Sequence, residues 1–201
     1  MKALFVGLGS VGQRHLRNLR ALVPSGVEAI AWRSRGLNHV LVDGRIEEPS
    51  TGVAARYGIR EVQSLEAALA ERPDCTFVCN PTRLHVPIAI AALRTGSHVF
   101  IEKPVSDGME GVAELAREAA ARPQAVLVGY QFRFHPAIRW LERLLESKTV
   151  GRVIAVRAMV GEHLPDFHPY EDYRTSYAAR RALGGGAILT QSREIDYLAH
   201  L

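Results

Sequence analysis

Lysine is scarce in this chain. Of 25 basic residues only Lys2, Lys103 and Lys148 are lysine, and the other 22 are arginine. Arginine serves almost wherever a fixed positive charge suffices. A lysine kept inside a motif therefore points to a cation that can give up its proton. Cysteine is rarer still, at two residues. Cys75 and Cys79 bracket a strand-like run, which sets them about 13 Å apart by strand rise, beyond disulfide reach. No cysteine–histidine cluster has zinc spacing, so no metal site is expected. No apolar run is long enough to span a membrane. A strand-like run begins at residue 3, which leaves no room for a signal peptide. Together these absences predict a reducing, cytoplasmic location and no membrane partner. The rest is the balance of a globular protein, 47% hydrophobic and 23% charged.

The net charge of +4 raises the question of nucleic acid. The arginines are spread over many segments, without a basic arm or a run of like charge. That pattern predicts a solvated surface with an anionic-ligand site, and no nucleic-acid partner.

The chain is organised around Gly7-Leu8-Gly9-Ser10-Val11-Gly12. An apolar run, residues 3–6, precedes it and a helix-patterned stretch, residues 11–22, follows it. A strand before and an amphipathic helix after are the context that turns this glycine pattern into a dinucleotide fingerprint. Gly7, Gly9 and Gly12 allow the tight turn, the close approach of a pyrophosphate and the packing of helix on strand. The free N–H groups at Ser10 and Val11, with the helix dipole, favour phosphate charge.

A second strand is predicted at 27–32, after a turn at Pro24-Ser25-Gly26. In an NAD site a carboxylate about 20 residues past the glycines holds the ribose hydroxyls. Here the stretch reads Trp32-Arg33-Ser34-Arg35. Two guanidiniums and a hydroxyl suit a 2′-phosphate better than a bare ribose, so NADP(H) is expected over NAD(H). Residues 36–50 read as a loop or weak hairpin, broken by Gly36, Asp43-Gly44 and Pro49. Strand patterns at 75–78, 98–101 and 125–128 alternate with helix patterns at 51–57, 64–69 (Ser64 as cap), 84–95 and 109–121. This βαβα alternation implies a Rossmann-type, doubly wound parallel α/β sheet over residues 1–128. Its strands end in Asn80-Pro81-Thr82 and Glu102-Lys103-Pro104, where ligands bind in such sheets.

From residue 129 the texture changes. The pattern predicts a helix at 136–147, a long strand at 150–160, an aperiodic polar and aromatic stretch at 162–177, and a helix from 187 to the end. Residues 129–201 therefore read as the start of an incomplete second α/β unit. A lone strand leaves unpaired edges, so self-association or a homo-oligomer is expected.

With these motifs in order, the chain resembles the glucose–fructose oxidoreductase, inositol dehydrogenase and rhizopine-catabolism family (Gfo/Idh/MocA). The motifs are the glycine fingerprint; Asn80-Pro81-Thr82 with His85; Glu102-Lys103-Pro104; Gly129-Tyr130 with Arg133 and Pro136; and Gly184-Gly185-Gly186 leading to Glu194-Ile195-Asp196. The resemblance implies a Rossmann domain, a second domain carrying substrate on an open sheet, and NAD(P)-dependent oxidation or reduction of a sugar, nucleotide sugar or polyol. It implies that Asn80, Pro81, Thr82, His85, Glu102, Lys103 and Gln131 line the cofactor. Lys103 takes the place of the family's proton-assisting lysine. Arg133, His163, Tyr173 and Thr190 fall on the substrate side.

Two departures stand out. After the triple glycine, relatives carry a carboxylate and then, one helical turn on, the acid–base histidine; here those positions are Thr190 and Arg193. Guanidinium stays protonated and cannot be a general base, though it can bind an anion or hold an alkoxide. The residues after the Rossmann pattern are also fewer than the family's second domain needs, implying a truncated gene or a fragment. The leading expectation is an oxidoreductase. The alternative is a nucleotide-binding remnant with little or no turnover.

Overall fold

The computed structural model describes residues 1–24, 26–47 and 51–201. The central turn residue Ser25, and Glu48, Pro49 and Ser50 at the end of the predicted loop, lie outside them.

Eight strands and nine helices are described. In chain order they run β1 (Lys2–Val6), α1 (Ser10–Leu22), β2 (Glu28–Trp32), β3 (Leu41–Val42), β4 (Arg45–Ile46), α2 (Val53–Tyr57), β5 (Arg60–Glu61), α3 (Leu65–Ala70) and β6 (Cys75–Val78). There follow α4 (His85–Arg94), β7 (His98–Ile101), α5 (Val112–Ala120), β8 (Val126–Val128), α6 (Pro136–Glu146), α7 (Leu164–Phe167), α8 (Ala187–Thr190) and α9 (Ser192–His200). Six strands form one parallel sheet in the order β5-β2-β1-β6-β7-β8, and β3 and β4 form a separate hairpin. The expected doubly wound Rossmann sheet is present. Two-residue β5 is an addition to the expected strands, as it is too short to carry a periodic signal.

Alternation along β1 explains the two layers. Leu4 and Val6 face one side, where they meet Ile30, Val78, Ile101 and the α4 residues Val86, Ala89 and Leu93. Ala3 and Phe5 face the other, against Leu16 of α1 and Val53 and Tyr57 of α2. Strand order reverses direction between β1 and β6, whose ends pair in register at Val6 and Val78. The crevice beyond those carboxyl ends is where such sheets bind ligands.

Local signals set the helix ends. Ser64 Oγ accepts from the Ala67 amide at 3.1 Å, capping α3. Pro136 occupies the first turn of α6, where its missing N–H leaves no bond unmade. The predicted strand at 150–160 does not form: these residues carry no regular structure, and Ile154 and Met159 are almost fully exposed. β-Propensity fixes no strand without a neighbour to take its backbone groups, and no described strand lies beside it. The helix predicted from 187 onward is broken at Gln191 into α8 and α9.

Candidate functional site

The site is assembled along the carboxyl edge of β1, β2, β6 and β7. After β1 the chain turns at once: the Gly7 amide donates to the Trp32 carbonyl at 3.1 Å. Helix α1 begins with Gly9 at its cap position, no side chain capping it and no acid in its first turn. Its first N–H groups have no carbonyl within the helix to bond, which suits an anion. At Gly12 any Cβ would run into the Gly7 carbonyl oxygen, so only glycine keeps helix and loop at this spacing. The loop has a fixed floor. Buried Gln13 donates to the Leu8 carbonyl at 3.0 Å and the His39 carbonyl at 2.9 Å, and accepts from the Leu41 amide at 2.8 Å. Sequence reasoning missed Gln13. The available signal was an amide at a core-facing position one turn into an amphipathic helix.

After β2 both expected phosphate-binding arginines are already engaged. Arg33 donates to the Leu37 carbonyl at 2.7 Å and pairs closely with Glu61, brought alongside by the β2–β5 register. Its Nε is buried without a hydrogen-bond partner. Arg35 pairs with Glu171 at 3.1 Å. Ser34 lies between them on the loop. Neither carboxylate was anticipated, because neither is near these arginines in sequence.

The ends of β6 and β7 are tied together by His85. Its ring is buried, with Nε2 2.8 Å from the Asn80 carbonyl and Nδ1 2.8 Å from the Pro104 carbonyl. His85 thus lies beneath the loops and sets their separation. The Asn80 side-chain amide is buried with both polar atoms unpartnered, an orphaned donor and acceptor at the crevice, available to a ligand. Thr82 is buried beside it and Pro81 opens the turn. Burial holds the pKa of His85 below the ordinary histidine value, against the pull of the two carbonyls. The unfolded chain therefore takes up this proton first as pH falls. Stability from His85 is full above about pH 6.5 and is lost as pH drops toward the depressed folded value. Denaturant unfolding from about pH 7.5 to 5 should show a steeper loss for wild type than for His85→Gln. Equal slopes would refute this account.

Glu102 is fixed from α1. His15 Nε2 donates to its Oε1 at 2.7 Å, and the ring packs on Phe100 with centroids 4.6 Å apart. The other Glu102 oxygen accepts the Lys103 amide at 3.2 Å. Lys103 Nζ donates to the Thr190 carbonyl at 2.7 Å. Burial pushes the Lys103 pKa down, Glu102 opposes that, and the Arg193 cation adds to it. Arg193 pairs with Glu194 at 3.1 Å and Glu162 at 3.5 Å, with its guanidinium 5.4 Å from the Phe132 ring centre. Thr190 Oγ1 and Ser192 Oγ are buried without partners. The structure thus brings Lys103, Thr190 and Arg193 together.

The other expected substrate residues are dispersed. Arg133 makes a two-pronged pair with Asp196 at 2.8 and 2.5 Å, tying the 3-10 turn Gln131–Phe134 to α9. Gln131 on that turn is exposed. His163 is exposed and bonds Asp166 at 2.9 Å. Tyr173 is partly buried, with Arg174 5.1 Å above its ring.

Residues 162–190 instead run as a strap over the whole edge. Tyr170, partly buried, comes close to Ser10. Glu171 meets Arg35. Gly184, at φ +78°, packs so close to Thr82 that a Cβ would sit 2.8 Å from it. Tyr177 is pushed up to about 12 by burial, with Glu102 adding to the effect. His168 is stacked between Phe167 and Tyr170, with centroids 4.3 and 5.2 Å away.

A parallel sheet with its switch point at β1 and β6, and a glycine turn feeding a bare helix start, define a dinucleotide-binding Rossmann protein. The pattern of the oxidoreductase family with an NAD-binding Rossmann fold (Gfo/Idh/MocA) matches residues 1–130, and the chain belongs to that family. It is 27% identical over 161 residues to 4-carboxy-2-hydroxymuconate-6-semialdehyde dehydrogenase of Sphingobium sp., covering 79% of this chain and 46% of that protein. It is 24% identical over 193 residues to levoglucosan dehydrogenase of Pseudarthrobacter phenanthrenivorans, covering 94% and 48%. An NAD-binding protein from Listeria innocua has the same fold, with a TM-score of 0.67 at 23% identity, over 98% of this chain and 53% of that one. The chain thus spans about half the length of the relatives it matches. Among the described residues no helix is long and apolar enough to cross a membrane.

Proposed function

We propose that this chain belongs to an NADP(H)-preferring oxidoreductase that interconverts a CH–OH group and a carbonyl on a sugar, nucleotide sugar or polyol. Lys103 carries the reading: a half-buried amine with a lowered pKa at the end of β7, beside Arg193 and against the Thr190 carbonyl. The cofactor fits the residues present, since α1 starts without a side-chain cap and both polar atoms of the Asn80 amide are buried without partners. Ser10, Val11 and Gly12 would hold its pyrophosphate, with Asn80, Pro81, Thr82, Glu102 and Gln131 lining the rest. When bound, its nicotinamide accepts or returns the hydride.

The chain's own residues manage the proton and the charge. Lys103 takes the hydroxyl proton on oxidation and returns it on reduction, which a group with pKa near working pH does best. Arg193 stays protonated, so its part is to stabilise negative charge on oxygen. Thr190 Oγ1, with no partner of its own, is available to a substrate hydroxyl. The dehydrogenase names of the relatives favour a working enzyme over the binding-only alternative. The scarcity of cysteine and the two free thiols accord with a reducing, cytoplasmic setting.

Cofactor preference tests the arginines after β2. NADPH should bind more tightly than NADH, and Arg35→Ala, at the more exposed of the two cations, should weaken NADPH by about 1–3 kcal/mol, the range for a hydrogen bond to a charged group. Fluorescence titration of both dinucleotides decides it; equal wild-type affinities would remove the basis for an NADP(H) preference.

A further inference from the structure

We propose that Glu171, carried on the strap, sets cofactor discrimination by competing with the 2′-phosphate of NADP(H) for Arg35. This rests on the reading that the arginines after β2 receive that phosphate.

Strand β2 ends without the carboxylate that would hold ribose hydroxyls, and Arg33 is largely committed elsewhere. Its side chain is only 11% exposed and is held by Glu61 and the Leu37 carbonyl. Arg35, at 42% exposed, is the more available of the two cations. It is also the one that the strap neutralises, through a carboxylate that is itself only 13% exposed. Glu171 is held in place at both oxygens: Oε2 faces Arg35 at 3.1 Å and Oε1 faces His168 Nδ1 at 3.1 Å. Next to this pair Tyr170 stacks on His168, with ring centres 5.2 Å apart, and comes close to Ser10 at the pyrophosphate end.

A 2′-phosphate arriving at Arg35 meets a carboxylate on the same guanidinium. The two anions repel in a partly desolvated corner, where charges interact more strongly than in open water. NAD(H) carries no such phosphate and leaves the Arg35–Glu171 pair intact. Glu171 thus supplies from the second unit the negative charge missing from β2, and it narrows the preference that Arg33 and Arg35 create. Discrimination is then a difference between a favourable and a repulsive element on one residue.

The test measures dissociation constants for NADPH and NADH, by titration without turnover, in wild type, Glu171→Gln, Glu171→Gln with Arg35→Ala, and Tyr170→Phe. Glu171→Gln keeps the shape and removes the charge. It should tighten NADPH about tenfold, equivalent to about 1.4 kcal/mol, and leave NADH within about twofold. Adding Arg35→Ala should abolish the gain. Tyr170→Phe removes the strap hydroxyl nearest Ser10 without changing charge and should leave the NADPH-to-NADH ratio unaltered. An unchanged ratio in Glu171→Gln overturns the proposal while leaving the dinucleotide reading intact. An equal gain for both dinucleotides, or a matching ratio shift in Tyr170→Phe, assigns the effect to strap position and also overturns it. Failure of wild type to bind either dinucleotide would overturn this proposal together with the function on which it rests.

Discussion

Lys103→Ala should lower turnover by about 10²–10⁴-fold, the usual contribution of a positioned acid–base group, while changing dinucleotide affinity far less. The amine lies under the Thr190 carbonyl and next to a permanent cation, and burial already holds its pKa below that of an ordinary lysine. In the oxidation direction the neutral amine is the active form. Rate should therefore rise with pH through a limb set below the ordinary lysine value. Arg193→Gln removes the neighbouring positive charge and should move that limb upward. Steady-state NADPH production over a panel of sugars, nucleotide sugars and polyols, across pH, checks both effects. Undiminished turnover in Lys103→Ala, or a limb unmoved in Arg193→Gln, would dismiss Lys103 as the proton carrier.

Gly12→Ala should damage both stability and dinucleotide binding. The added carbon meets the Gly7 carbonyl oxygen, a backbone atom that no rotamer change can move. The loop must shift, and with it the N–H groups of Ser10 and Val11. Overpacking of this kind typically costs about 1–3 kcal/mol. Dinucleotide affinity should fall on the order of tenfold or more, for NADH and NADPH alike. Gly9→Ala is the comparison, because a Cβ there meets no atom of the protein within 4 Å. It should leave stability near wild type while obstructing a ligand. Denaturation midpoints and titrations on the two variants separate loop geometry from ligand clearance. A stable Gly12→Ala protein with unaltered affinity would contradict this account.

Sequence and structure agree best where information is local. Gly7 to Gly12 specify turn, helix start and close packing within six neighbouring residues. Apolar runs locate β1, β6 and β7 because buried parallel strands show their hydrophobicity continuously. The Glu102-Lys103-Pro104 segment is recognisable because it directly follows such a run. What stayed hidden depends on partners far along the chain. Arg35 and Glu171 are separated by 136 positions, so no motif could announce their pairing. Residues 150–160 have the composition of a strand, but pairing makes a strand, and no described strand adjoins them. Gln13 is recognisable as a scaffold for the glycine loop only once the His39 carbonyl and the Leu41 amide are seen beside it.

The strap has a kinetic consequence. The sheet rests on two layers of buried apolar contacts, whereas the strap joins it through polar pairs such as Arg35–Glu171 and a short buried stretch at Ser176 and Ala178. The entropy of closing so long a loop rises only logarithmically with its length, so docking is cheap once the sheet exists. Residues 162–190 should therefore open and reseat ahead of the sheet, seen as faster amide exchange there than in β1, β6 and β7. A dinucleotide would then enter beneath it at the rate of that local opening, without unfolding of the sheet.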